Sequence, residues 1–321
     1  VRSGGHPARQ RGIALLTAIM LVALGTILAA TIGYQNAMTA RRGQALFAFD
    51  QSLLIAEAGE AIAAYALRET RKMDAQHVYP GQAWSMPYGP VEVIPGVMLL
   101  AQLEDMQGRF NLNSLVKVDG TTDGDAVIMF QKLLQLVGLE TKWAPMIADW
   151  IDADQIADGP DGAEDGTYLS QVPPYRTANA QITSPSELLA LPGFGRDRYL
   201  RIAPYVTALP RNVGINLCSA SGPVLDALGP EGQTQYSLMT PQQLQMERQN
   251  GCFPTLTDFN ASFNGNAPAL GKVQNRIGMV SNYFRLTSVI SVGTMRFALY
   301  SLLHQEGDLR TRPIQRSFTS D

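Results

Sequence analysis

Seven carboxylates, Asp149, Asp152, Asp154, Asp158, Asp161, Glu164 and Asp165, fall within 17 consecutive positions, with Gly159 and Gly162 among them and Gly166 directly after. No Lys or Arg occurs between Lys142 and Arg176, so these groups repel one another unless a cation joins them. Hard oxygen donors on a glycine-bearing loop select Ca2+ over Zn2+. The candidate ligands are Asp152, Asp154, Asp158, Asp161, Glu164 and Asp165. The spacing departs from an EF-hand: Asp152-Ala153-Asp154 begins like one, but Asp158-Gly159 arrives two residues late. A solvated acidic loop without metal is the alternative reading of the same residues.

Other chemistry is sparse. His6, His77 and His304 are isolated, and the chain has no Gly-x-Ser-x-Gly, Walker loop or Cys-x-x-Cys, so no enzyme is expected. Leu191-Pro192-Gly193-Phe194-Gly195, followed by Arg196, Arg198 and Arg201, resembles the turn of a helix-hairpin-helix module. In DNA-binding versions such glycines bring backbone amides to phosphates, but a tight interhelical turn needs them equally. With no wider basic patch and a net charge of −3, nucleic acid is not expected as a partner. Cys218 and Cys252 are the only cysteines. In an oxidising compartment they are expected to form a disulfide, two free buried thiols being the alternative.

The elements that position these residues follow from periodicity. Helical spacing is expected over 126–137, 141–151, 186–191 and 196–206, carrying the acidic loop between the second and third segments. Before this block, 91–104 alternates apolar residues around Pro95-Gly96 and reads as a hairpin; Phe110 to Asn113 adds a short strand. After it, strand character returns at 213–217 and over 283–303, with Gly293 at the turn. A helical block is therefore expected inside an antiparallel sheet domain.

The start of the chain differs from the rest. Residues 13–33 carry no charge and only three threonines; as a helix they span roughly 31 Å, matching a bilayer core of about 30 Å. A basic leader, 1–12, precedes them with Arg2, Arg9 and Arg11 and ends in Gly12. Cleavage after the span at Ala29-Ala30-Thr31 is possible, but the junction before Ile13 is the cleaner candidate. Residues 34–72 contain no proline, and Leu46, Phe49, Leu53, Leu54, Ala58, Ile62 and Tyr65 keep helical spacing. One helix of nearly 60 residues is expected.

Basic leader, Gly12, uncharged apolar helix and amphipathic continuation together resemble a type IV prepilin signal. The resemblance implies cleavage between Gly12 and Ile13 by prepilin peptidase and methylation of the new amine. Thr17 then stands at mature position five, where most pilins and pseudopilins have Glu. A carboxylate inside a bilayer needs a partner, and a subunit with none ahead of it lacks one. Threonine, bonding to a carbonyl of the preceding turn, avoids that cost.

Glu missing at position five, together with Ile55-Ala56-Glu57-Ala58-Gly59, Trp150-Ile151-Asp152-Ala153-Asp154, Gly162-Ala163-Glu164-Asp165, Tyr168, Pro173-Pro174-Tyr175 and Asn179, resembles the type II secretion system protein K family, the minor pseudopilin of the pseudopilus tip. The resemblance implies an α+β, pilin-like fold in which a long N-terminal helix packs on an antiparallel sheet, with a large inserted all-α domain of helix-hairpin-helix or SAM-like kind. The expected organisation is leader 1–12, transmembrane segment 13–33, pilin-like parts 34–122 and 210–321, and insert 123–209. It further implies bound Ca2+, other minor pseudopilins as partners, and a single pass through the inner membrane with periplasmic soluble domains. The alternatives are a minor pilin of a type IV pilus or DNA-uptake machine and a signal-anchored calcium-binding protein.

Overall fold

In the computed structural model, residues 11–319 are described. The expected leader lies outside the described residues up to position 10. The first element is one continuous helix, α1 (Arg11–Met73). Among the described residues it is the helix long and apolar enough to cross a membrane. Within this stretch Thr17 Oγ1 donates to the Ala14 carbonyl at 3.0 Å, and Thr26 and Thr31 do the same to Ala23 and Ile27. The hydroxyls therefore need no partner outside their own helix. The chain divides into two units, 1–54 and 55–321.

The second unit is built on a five-stranded antiparallel sheet: β1 (Tyr88–Ile94), β2 (Val97–Asp105), then, much later, β7 (Tyr283–Val292), β8 (Met295–Gln305) and β9 (Thr311–Ser317), in the order β1-β2-β7-β8-β9. Period-two alternation sends Leu99, Leu103, Leu286, Ile290, Leu299 and Leu303 to the buried face. From Ile55 onward, α1 covers that face. A Cβ on Gly59 would stand 3.2 Å from Ser288 Oγ. The next residue, buried Glu60, accepts from Ser301 Oγ at 2.6 Å and from both Arg316 Nε and Nη2 at 2.9 and 2.7 Å.

Between β2 and β7 lie the remaining elements: β3 (Phe110–Asn111), α2 (Gly124–Leu136), α3 (Trp143–Ile151), α4 (Asp165–Tyr168), α5 (Gly195–Ile202), β4 (Val206–Thr207), β5 (Ile215–Asn216), α6 (Gly222–Leu228), α7 (Pro241–Glu247), α8 (Leu256–Ala261), α9 (Ala267–Gln274) and β6 (Ile277–Gly278). Their core joins Phe110, Phe130, Ile147, Tyr168, Phe194 and Ile202 to Leu225, Phe259 and Val273. The helical region thus runs on past residue 209, where the sequence placed its end, and the expected strand over 213–217 shrinks to two residues. The segment expected as a helix over 186–191 is a 3-10 turn, Pro185–Ala190, and 196–206 ends as a helix at Ile202 before β4.

Buried amides and one buried carboxylate stitch the helical region to the sheet. Asn113 exchanges two hydrogen bonds with the backbone of Ile182 and donates to the Leu209 carbonyl. Asp105 falls on the buried side of β2. Its oxygens accept from Gln107 N, Asn216 Nδ2, Ser281 Oγ and Ser219 Oγ, and burial pushes its carboxyl above the usual range despite these donors. The expected disulfide is present: Cys218 and Cys252 are bonded.

Candidate metal centre

Helix α3 ends at Ile151, and the chain then loops out and returns to it. Asp149, fully buried on the last turn, receives the backbone N–H of Asp158 at 3.2 Å and of Ala163 at 2.7 Å, which folds the acidic loop back over the helix end. Gly162 is required there: a Cβ would come within 2.5 Å of both Asp149 Oδ2 and Asp158 N. Asp154 caps its own turn through Ile156 N at 2.7 Å, and Asn179 Nδ2 donates to the Asp154 carbonyl at 3.1 Å.

This folding gathers two overlapping sets of carboxylates, Asp149, Asp152 and Asp158, and Asp152, Asp154 and Glu164. Within each set one oxygen per residue lies within 4.8 Å of the others. Oxygens on opposite sides of a Ca2+ bound at 2.3–2.6 Å would be about 5 Å apart, so the gathering is of the right size. Asp152 Oδ1, both oxygens of Glu164 and Asn179 Oδ1 are buried without a hydrogen-bond partner. These unmet acceptor oxygens fit a hard cation.

Electrostatics agree. Burial, reinforced by Asp158 and Asp152, pushes Asp149 up to about 6. Burial, with Asp154 and Asp158, does the same to Asp152, also to about 6. Glu164 is driven highest, to about 7, by burial and then by Asp149, Asp152 and Asp154. Each shift records a cluster that resists carrying its full charge without a counter-ion.

Of the six expected ligands, Asp152, Asp154, Asp158 and Glu164 are brought together. Asp161 and Asp165 are not among the gathered residues. Asp165 instead accepts from Thr177 N and Oγ1 and pairs with Arg176 at 3.3 Å. Asp149 and Asn179 were missed as ligand candidates. Asp149 reads as a helix residue, and only the return of the loop through Ala163 reveals it; Asn179 is 25 positions away from the carbonyl it holds.

The glycine hairpin forms a tight turn. Gly193 and Gly195 adopt φ of +77° and +71°, placing Phe194 edge-on against Trp143 with centroids 5.0 Å apart. Arg198 donates to the Gly193 and Phe194 carbonyls and to Glu140 at 2.9 and 3.0 Å, so its guanidinium is engaged within the protein.

Residues 108–211 match the family described as "Type II secretion system (T2SS), protein K". The chain is 31% identical to type II secretion system protein K of Pseudomonas aeruginosa, over 96% of this chain and 92% of that one. It is 29% identical to the protein of the same name from Pectobacterium carotovorum, over 97% of each. The fold is similar to a chain in the crystal structure of the GspK-GspI-GspJ complex from enterotoxigenic Escherichia coli, with a TM-score of 0.69 and 22% identity, over 87% of this chain and all of that one.

Proposed function

The chain belongs to the type II secretion system protein K family, and from that premise we propose that it is a minor pseudopilin that caps the pseudopilus and nucleates its assembly with the other minor pseudopilins. The observation that carries this reading is the long α1 with Thr17 satisfied inside its own helix. A position-five carboxylate would call for a partner from a preceding subunit; this chain needs none, as suits the first subunit of a fibre. The mechanism is packing, not catalysis. Prepilin peptidase cuts between Gly12 and Ile13, the new amine is methylated, the apolar part of α1 holds the subunit in the inner membrane, and the second unit stands in the periplasm.

Ca2+ belongs to this reading as a structural ion. Asp149, Asp152, Asp154, Asp158 and Glu164 would hold it, with Asn179 Oδ1 a further donor. The ion would neutralise the cluster and fix the loop between α3 and α5 on the helical core. Support for a partner set comes from the similar E. coli chain, whose solved complex contains two companions.

The reading is tested by co-expressing the full-length chain with the other minor pseudopilins and prepilin peptidase. Affinity capture of the tagged chain from solubilised membranes should recover the companions in fixed proportion. Recovery of the chain alone would refute the assembly role.

A further inference from the structure

Arg41 and Arg42 are the first charged residues after the apolar run of α1. Both are exposed on the helix, and among the described residues neither side chain enters an ion pair or a hydrogen bond. Their own unit offers no counter-charge within reach. The first acid along the chain is Asp50, eight positions after Arg42, whereas pairs on one helix form at three or four. Arginines on the translocated side of a span also oppose the usual charge bias, so their presence there calls for an offset.

Helix geometry places these two cations at a definite level. From Gly33 to Arg41 the unbroken helix carries the backbone roughly 12 Å. The headgroup layer on each side of a bilayer core is about 5–8 Å thick, so with 13–33 filling the core the two Cα atoms stand roughly 5 Å beyond that layer. Cα–Cβ bonds of a helix tilt toward its N-terminus, here the membrane side, and an arginine stem spans such a gap while its head stays hydrated. Any tilt of the helix shortens the distance. Tyr34, directly after Gly33 and 68% exposed, sits at the level where tyrosine rings favour the interface. It precedes Arg41 by seven positions, two turns along the same face.

We propose that Arg41 and Arg42 grip the phosphates of anionic phospholipids in the periplasmic leaflet, and that this contact fixes how far α1 enters the membrane. Guanidinium forks match phosphate oxygens in pairs. Two adjacent uncompensated cations favour a headgroup of net negative charge over a zwitterionic one, whose own ammonium repels them. An acidic side chain on a companion helix is the competing class of partner. The membrane is favoured because the arginine side chains lean toward it by the direction of the helix alone, whichever subunits are present. The inference rests on the reading of 13–33 as a transmembrane segment with the second unit in the periplasm.

The test places a bimane fluorophore on Ile32→Cys, a position 50% exposed on the helix, in the full-length chain, where Cys218 and Cys252 are bonded to each other and no other thiol competes. The chain is inserted into vesicles of phosphatidylglycerol and phosphatidylcholine in equal parts, with brominated acyl chains on one lipid or on the other. Quenching then reports which lipid lies against the periplasmic end of the span; the leader's arginines face the opposite leaflet. The expected result is a preference for brominated phosphatidylglycerol, of the order of tenfold for two headgroup contacts, that shrinks at high salt and falls to parity in the Arg41→Gln/Arg42→Gln variant. That variant should melt unchanged, since both side chains are exposed and unpaired. Equal quenching by the two lipids, a preference indifferent to salt, or one that survives the double substitution would overturn the proposal. Equal quenching together with lost capture of the companions by the variant would assign the arginines to a companion's acids instead. Quenching by neither lipid would show that the helix stays outside the bilayer, which fails the membrane reading itself.

Discussion

At the scale of single residues, the acidic loop makes the sharpest demands. In chelator, Glu164, Asp149 and Asp152 hold protons more tightly in the folded state than unfolded, so the native state binds more protons between pH about 4 and about 7. Stability without metal therefore falls as pH rises through that window. With Ca2+ the ionised carboxylates become ligands, and the fall should disappear. Melting curves at pH 4.5 to 7.5, with EGTA and with excess Ca2+, check both signs. At a thousandfold excess over Kd, the gain at neutral pH should be of the order of 10 °C. Asp152→Asn should erase most of that gain, whereas Asp161→Asn, outside the gathered set, should leave it. An equal effect of the two substitutions would mean that the loop binds cations diffusely. Arg248 offers a separate test: Arg248→Ala leaves three carbonyls unmet and should cost about 3 kcal/mol in urea unfolding, with no change in the Ca2+ response.

At the scale of elements, the disulfide ties the connection after α7 to the turn before α6 and closes a separation of 34 residues. Replacing both cysteines by serine should cost roughly 3 to 4 kcal/mol by the chain-entropy account, measured by urea unfolding; a loss below 1 kcal/mol would show that Arg248 alone secures this segment. Elements with strong local patterns were legible in the sequence. The helix over 34–72 keeps its spacing without proline, and Pro95-Gly96 and Gly293 mark the two hairpins that became β1-β2 and β7-β8. The four helices α6 to α9 were not legible, because each is six to eight residues long. Their signals are caps and prolines, Thr240 with Pro241, Thr255, and Asn266, which without a longer apolar repeat read as loop. The gathering of carboxylates was half legible for a related reason: composition locates the acidic loop, but which oxygens meet depends on its return across α3.

At the scale of the whole molecule, the proposed work of the subunit is assembly, and Thr17 in the apolar part of α1 is satisfied within its own helix. Thr17→Glu puts an unpartnered carboxylate into the apolar part of α1, so it should lower the yield of membrane-inserted, assembled protein several-fold, read by capture of the companions. The unsubstituted chain should show no salt-sensitive binding to DNA; salt-sensitive filter binding would favour the DNA-uptake alternative. The most direct measurement is mass spectrometry of the N-terminus of protein recovered from the inner membrane of its host. The expected chain begins at an N-methylated Ile13; an intact leader, or an N-terminus beyond Gly33, would contradict the pseudopilin assembly role.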